Sequence, residues 1–481
     1  MKAWRHVTIM TALFLAGCAG LPPKQKPVQL PGAAPLDGLE AAGGAWPAKE
    51  WWKRYDDPTL DRLIELATAS SPTLATAHAR YDSARQSVRI AGAASGVRVD
   101  ASADIDRQRL SDNGLIPPQL LGFTWYNQAD LGLQASYTFD WWGKQRDTVE
   151  AAMDQAHAAQ ADRSAAALML ASSIADAYFG WQADQSRIAL ARERADVVQD
   201  EGAIAGARVR ADLDSADTTR RSELELAAAR EQIAALEGSA KLRVIAIAAL
   251  VGRSPSELPP LQAKTLPGLS ANLPDDVKID LISRRADITA SRWRVEAAER
   301  NLDSARAEFF PDVTINALAG LSSIDVGKLI EYGSRVPQAS AAIHLPIFDA
   351  GRLKAHYGAT QAAIDSAIAD YQDTLVSAAR DVATQASTRA QIAAQRSQRT
   401  LQVDAALQLR DSASARVRQG ITDSRAELTA TESWIEQRDS LLQLDAAALS
   451  ADIALQRALG GGYQSPQEIA NSHSIATTTT P

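Results

Sequence analysis

The stretch ADLGLQASYTFD, residues 129–140, decides how the chain is read. Its odd positions are apolar: Ala129, Leu131, Leu133, Ala135, Tyr137 and Phe139. Its even positions are polar or tiny: Asp130, Gly132, Gln134, Ser136, Thr138 and Asp140. A period of two gathers the apolar side chains on one face of a strand and leaves the other face wet. WWGKQRD follows at once, and then a helical run of about sixty residues.

The same unit returns in the second half. Ala339, Ala341, Ile343, Leu345 and Ile347 share one face of a strand expected over 339–349, and FDAGRLKA stands where FDWWGKQRD stood before. Each of these strands has an alternating partner upstream. Val97, Val99, Ala101, Ala103 and Ile105 interleave with Arg98, Asp100, Ser102, Asp104 and Asp106; Val313, Ile315, Ala317, Ala319 and Leu321 interleave with Asp312, Thr314, Asn316, Leu318 and Gly320. Four strands thus fall as two hairpins, 97–140 and 311–349, one in each half of a duplicated chain.

The 481 residues carry 50 basic and 58 acidic side chains, a net charge of −8, and only 5% aromatics. Abundant alanine suits long helices with small contact residues better than a compact aromatic core. No basic patch points to nucleic acid. Cys18 is the sole cysteine, which excludes internal disulfides and a thiolate metal site. His6, His78, His157, His344, His356 and His473 are scattered without ligand spacing, and the chain has no HExxH, GxSxG, Walker loop or GxGxxG. Neither an enzyme nor a cofactor is expected.

Lys2 and Arg5 precede an apolar run from Val7 to Leu15 that is too short to span a bilayer, so residues 1–17 read as a secretory signal. Leu15-Ala16-Gly17-Cys18 closes it and resembles the bacterial lipobox, in which the cysteine is acylated and becomes the first residue. Ala19, in place of an aspartate there, implies by that resemblance delivery to the outer membrane. Residues 18–48 are rich in proline, glycine and alanine and read as anchor and tether.

Asp57-Pro58 marks a helix start with Leu60, Leu63, Ile64 and Ala67 on one face, and Ser71-Pro72 breaks it and restarts another. Trp51-Trp52-Lys53, Asp57-Pro58, Leu63-Ile64 and Ser71-Pro72-Thr73-Leu74 together resemble the opening of TolC-like outer-membrane efflux lipoproteins, the exit ducts of tripartite pumps. The resemblance runs from Trp51 to Tyr463. It includes Arg284-Arg285-Ala286-Asp287-Ile288 at the start of the second repeat, where the family usually has a proline at Ala286, and Phe309-Phe310-Pro311 before the third strand. It implies a mainly α fold: an α-barrel of long antiparallel coiled-coil helices, plus four strands given to a trimeric twelve-stranded transmembrane β-barrel.

The domain reading is a first repeat over 49–262 and a second over 263–462, with a disordered tail over 463–481. Long helical hairpins span 147–251 and 352–459. At 1.5 Å per residue the helix from Asp147 to Arg210 is about 95 Å long. Leu226, Ala229, Ile233, Leu236, Ala240, Ile247 and Leu250 on its return helix, and Ile364, Ile368, Tyr371, Leu375, Ala378 and Val382 in the second copy, step by threes and fours as coiled-coil seams do.

Four strands cannot close a barrel, and an open sheet edge cannot sit in lipid. The strands must therefore join copies from other subunits or meet no lipid at all. Sequence alone permits two, three or four copies; the resemblance implies three. In a barrel the apolar face meets lipid, while Asp100, Asp104, Asp130, Gln134, Asn316 and His344 face a wet lumen. Segments 108–127 and 323–335 become the outward loops.

At the far ends of the long helices, Ala207-Arg208-Val209-Arg210-Ala211-Asp212-Leu213-Asp214-Ser215 aligns with Ala415-Arg416-Val417-Arg418-Gln419-Gly420-Ile421-Thr422-Asp423-Ser424. Both resemble the family's tip motif, which implies adaptor contact at Arg210, Leu213, Ser215, Arg418, Gly420 and Ile421. Asp212 stands where the motif has glycine. The family's acidic gate ring falls among Asp212, Asp217, Asp423 and Glu427, with Arg210, Arg416, Arg418 and Arg425 as ion-pair partners holding neighbouring helices shut. The implied partners are two further copies of the chain, a periplasmic adaptor (membrane fusion protein), a proton-driven inner-membrane transporter and outer-membrane lipid through Cys18. Competing expectations are a duct for one-step (type I) protein secretion and a coiled-coil envelope lipoprotein without a channel.

Overall fold

The computed structural model describes residues 29–31, 44–113, 117–268, 281 and 283–464. The signal segment, Cys18, most of the tether and the tail from residue 465 lie outside the described residues. In chain order the elements are α1 (Pro58–Ser70), α2 (Pro72–Ala94), β1 (Arg98–Arg109), a single helical turn α3 (Pro118–Leu121), β2 (Trp125–Phe139), α4 (Lys144–Arg210), α5 (Ala216–Val251), α6 (Ala286–Ala307), β3 (Asp312–Ser323), β4 (Arg335–His344), α7 (Arg352–Arg418) and α8 (Ser424–Ala458). Both α4 and α7 have 67 residues, about 100 Å of helix each. The chain folds into two compact units, and each takes segments from both repeats.

The first unit gathers Tyr81–Ala158 and Ser291–Asp370 around one antiparallel sheet in the order β1-β2-β3-β4. Among the described residues no further strand pairs with either outer edge, on β1 or β4. The register sets like on like. Ala101 opposes Leu133, which opposes Ala319, and Phe139 opposes Val313, which opposes Ile343. On the other face Asp100 opposes Gln134, Asp104 opposes Asp130, Ser136 opposes Asn316 and Asp312 opposes His344. Two carboxylates directly across from each other are tolerated only where water screens them. The apolar face is itself uncovered: Val99, Ile105, Leu133 and Ile343 are all exposed.

Two boundaries differ from expectation. Strands β1 and β2 run to Arg109 and from Trp125, so the first loop is shorter than 108–127. Strand β4 starts at Arg335 and stops at His344, not 339–349; past Asp312, which faces His344, β3 has no residue left to pair with Leu345. Ile347 and Phe348 are instead almost fully exposed. The two strand-to-helix junctions explain the paired FD motifs. The Asp140 carboxylate accepts from the Arg146 N–H (2.8 Å), and the Asp349 carboxylate from the N–H groups of Leu353 (2.7 Å) and Gly351 (3.0 Å). Each aspartate satisfies an orphan donor at a helix start. Trp142 stacks on Phe310 at 4.4 Å and donates to the Pro311 carbonyl, which ties the β2–α4 joint to the α6–β3 joint.

The second unit gathers Pro31–Arg80, Ala159–Ala290 and the chain from Tyr371 onward. Helix α1 begins as expected: Pro58 occupies N1 and the Asp57 side chain accepts from the Thr59 N–H. Its buried Leu60, Leu63, Ile64 and Ala67 pack with Trp51, Ile174, Tyr178, Ile247, Leu449 and Ile453. Trp51 meets Trp52 and Tyr55 edge-on, which gives the tryptophan pair its structural use. Helix α6 begins at Ala286 without the family's proline, with the Asp287 carboxylate accepting from Ile288. The predicted seams are buried at Ala229, Leu236, Ala240 and Ile247 and at Ile364, Tyr371, Leu375, Ala378 and Val382.

Candidate functional site

The far turns of the two helical hairpins share one backbone. Helix α4 ends with the Leu213 N–H donating to the Arg208 carbonyl (2.9 Å), and α7 ends with the Ile421 N–H donating to the Arg416 carbonyl (2.9 Å). These are matching C-terminal caps, and each places its next-to-last residue in the left-handed region. In the first turn that residue is Asp212, φ 56°; in the second it is Gly420, φ 70°. The sequence alignment of Asp212 with Gly420 is thus a geometric equivalence. Leu213 and Ile421 stand next to them, 63% and 65% exposed, an apolar side chain offered to solvent at each tip.

The charges differ between the tips. Asp423 is the N-cap of α8, accepting from the Arg425 N–H, and holds the Arg425 guanidinium at 2.8 Å. That hydrogen bond keeps the Asp423 carboxyl below the usual carboxylate range. Ser215 takes the N-cap place on α5 with no side-chain bond. Asp217 pairs with Arg220 on its own helix, both well exposed. Glu427 is half-buried and has no ion pair among the described residues.

The bond that clamps the first turn joins Arg208 to Asp214 at 2.6 Å, and it holds the Asp214 carboxyl low, with a further contribution from Arg425 of the second turn. Sequence reasoning missed this pair. Its signal was an arginine and an aspartate at the two ends of a turn, with Arg416 and Thr422 in the second copy unable to pair in the same way. Of the four arginines expected to hold helices shut, Arg425 pairs within its own turn and Arg416 reaches Ser412 on its own helix. Arg210 and Arg418 are exposed and form no ion pair among the described residues. Within one chain, then, these four arginines form no ion pair between hairpins among the described residues, and Arg425 acts on Asp214 only at longer range.

The crossing contacts lie higher on the helices. Arg187 of α4 makes a two-pronged bond to Asp439 of α8 (2.7 and 3.1 Å), and Arg194 of α4 binds Glu432 (2.9 Å). Leu190, Val197 and Ile435 pack around them. Gly180 removes a side chain where the Arg243 guanidinium of α5 lies across α4 to reach buried Asp184 at 2.7 Å. That packing repays the helix for carrying a glycine. Above them, Asp57 receives the Tyr178 hydroxyl (2.8 Å), the Lys264 ammonium (2.9 Å) and the Thr59 N–H. Burial by itself would push Asp57 up; these three donors outweigh it and hold it low.

No group of three or more histidine, cysteine or carboxylate side chains is arranged to hold a metal among the described residues. No described helix is long and apolar enough to cross a membrane. What the arrangement supplies is a two-faced sheet with open edges and long paired helices ending in exposed turns.

Comparison with known proteins agrees with that arrangement. The sequence pattern of the family described as "Outer membrane efflux protein" matches residues 63–253 and 280–461. The "Multidrug resistance outer membrane protein MdtP" of Escherichia coli K12 is 32% identical over 464 residues, 94% of each chain. The outer membrane protein VceC of Vibrio cholerae superposes with a TM-score of 0.78 at 31% identity, over 87% of this chain and all of that one. The outer-membrane channel OprN shares the fold, with a TM-score of 0.82 at 24% identity over 92% and 99% of the two chains. With both repeats matched in order across most of its length, the chain belongs to the outer membrane efflux protein family.

Proposed function

We propose that three copies of this chain close, edge to edge, into a twelve-stranded barrel in the outer membrane, continued on the periplasmic side by a tube of their long helices. The observation that carries this reading is the sheet: one face apolar, one face polar, and both edges unpaired. Unpaired edge amides in lipid cost several kcal/mol each, so a lipid-facing sheet of this kind must be completed by further strands. The polar face lines the lumen, and the acylated Cys18 adds a lipid anchor.

The duct is passive. Its energy comes from an inner-membrane transporter, proton-driven, reached through a periplasmic adaptor that docks on the exposed turns around Leu213, Ser215, Gly420 and Ile421. The multidrug naming of MdtP supports small toxic molecules as cargo. Arg210 and Arg418 pair across copies with the acidic residues of the turns and keep the periplasmic end narrow; adaptor docking competes for those pairs and shifts the population to the open state.

The test is conductance of the purified full chain in planar bilayers. A small, mostly closed conductance is expected, rising when Arg210 and Arg418 are both replaced by alanine. Unchanged conductance refutes the gate. A strictly monomeric protein that leaves liposomes sealed refutes the duct.

A further inference from the structure

The apolar face of the sheet changes character abruptly at the end remote from the helices. Along β1 that face reads Val99, Ala101, Ala103, Ile105 and then Arg107 and Arg109. Along β4, read toward the same end, it is Ile343, Ala341, Ala339, Pro337 and then Arg335. The inner strands carry no cation there: Asn127 opposes Arg107 and Leu321 opposes Arg335. Every strand carboxylate (Asp100, Asp104, Asp106, Asp130 and Asp312) has the opposite parity and lies on the other face.

The arginines are also held for use. The Arg107 guanidinium lies over the Trp125 ring at 5.8 Å, and that of Arg335 over Tyr332 at 4.2 Å. Neither has a carboxylate partner among the described residues, while Arg109 pairs with Asp112. A guanidinium stacked on a ring keeps its N–H edge free for a phosphate oxygen.

Their depth fits a headgroup. From Phe139 to Asn127, the partner of Arg107, β2 advances about 40 Å, or about 30 Å along the membrane normal for a strand tilted near 40°. That is the thickness of a bilayer's hydrocarbon core. With aromatic Phe139 and Trp141 at the inner boundary, the arginines stand at the level of the outer headgroups.

We propose that Arg107 and Arg335 form a binding site for the phosphate groups of an anionic glycolipid of the outer leaflet, with the acyl chains on the shallow apolar surface of Leu131, Leu133, Ala319 and Leu321. The site rests on the barrel reading above. Because the two arginines occupy the two edge strands, ring closure puts β4 of one copy beside β1 of the next. Arg335 then meets Arg107 of the neighbouring copy, and each seam between copies holds one lipid, up to three per channel. Charge complementarity selects this occupant, since basic clusters at headgroup level attract anionic lipid.

Native mass spectrometry of the full-length oligomer, purified from outer membranes, tests it, with bilayer conductance recorded on the same samples. Wild type is expected to retain bisphosphorylated lipid A–bearing glycolipid. The double variant Arg107→Gln, Arg335→Gln is expected to lose roughly tenfold or more of it while still conducting, the scale of removing two arginines from an anionic surface. In phosphatidylcholine vesicles, added lipid A should raise the unfolding temperature of wild type and not of the double variant, and inorganic phosphate should raise neither. Equal retention by wild type and double variant, with conductance intact, overturns the site and leaves the channel standing. A shift with inorganic phosphate equal to that with lipid A makes the ligand a free anion and also overturns it. Absence of conductance in wild type brings down the barrel reading and this proposal with it. Should the double variant fail to insert, the single variants Arg335→Gln and Arg107→Gln are scored in the same way.

Discussion

Gly420 should be less replaceable than its counterpart Asp212, although both hold the same backbone. A Cβ at Gly420 would meet nothing within 4 Å, so the cost of Gly420→Ala is conformational alone. A side chain in the left-handed region costs about 1–2 kcal/mol, and loss of glycine's freedom in the unfolded chain returns about 0.4–1 kcal/mol. The net is a loss of about 0.5–1 kcal/mol in closing the turn. At Asp212 the terms start from a residue that tolerates this conformation, so Asp212→Gly should be neutral within about 0.5 kcal/mol. Amide hydrogen exchange reads the turns directly, because the Ile421 and Leu213 N–H groups are the capping donors. Gly420→Ala should speed exchange at Ile421 by about two- to fivefold, and Asp212→Gly should leave Leu213 nearly unchanged. Unchanged or slower exchange at Ile421, or a larger effect at position 212 than at 420, would refute the equivalence of the two caps.

Removing the Tyr178 hydroxyl with Tyr178→Phe should cost about 1–3 kcal/mol in thermal unfolding, since Asp57 loses a buried donor and Gln182 an acceptor. Two carboxylates should tilt the pH dependence in opposite senses. Asp57 is held low in the fold, so its contribution is present above the unfolded value of 3.8 and is lost as pH falls through the lower folded one. Asp154 is pushed up to about 6 by burial and then by Glu296, so its contribution is full below 3.8 and is lost as pH rises through about 6. Asp154→Asn should therefore flatten the stability profile between pH 4 and 6 and leave the acid limb due to Asp57 in place, as measured by unfolding midpoints across that range.

Most of this fold is written in periodicity. A period of two shows both faces of β1, β2 and β3, and threes and fours show the seams of α5 and α7, because each element meets an apolar environment on one side only: packed helices at the seams, and lipid in the proposed barrel for the sheet. The limits of β4 were not legible. Leu345 and Ile347 continue the alternation beyond the last residue with a partner, and pairing, unlike periodicity, belongs to two strands at once. The tips were legible in backbone and not in charge. Gly420 announces its cap, and Asp212 takes the same conformation without announcing it. Arg208–Asp214 joins residues on either side of a turn, a proximity that helical spacing does not express.

The divergence between the tips bears on how such a duct closes. The two turns descend from one sequence and keep one backbone, yet Ser215 faces Asp423 in the alignment and Asp217 faces Arg425, a reversal of sign at the first turn of each return helix. Arg208–Asp214 and Asp423–Arg425 each spend their charge inside a single turn. Charges already satisfied locally contribute little across a water-filled gap, where exposed pairs are worth about 0–1 kcal/mol. The charges left without an ion pair among the described residues include the carboxylates of Asp212 and Glu427 and the guanidinium groups of Arg416, Arg210 and Arg418, the last two each at the final residue of a 67-residue helix. In the gate proposed above, a closure made of ion pairs at this end forms between copies of the chain and relies on several weak bonds in a ring. Such a lock suits a channel opened by docking rather than by chemistry, because no single pair is strong enough to need more than competition to break.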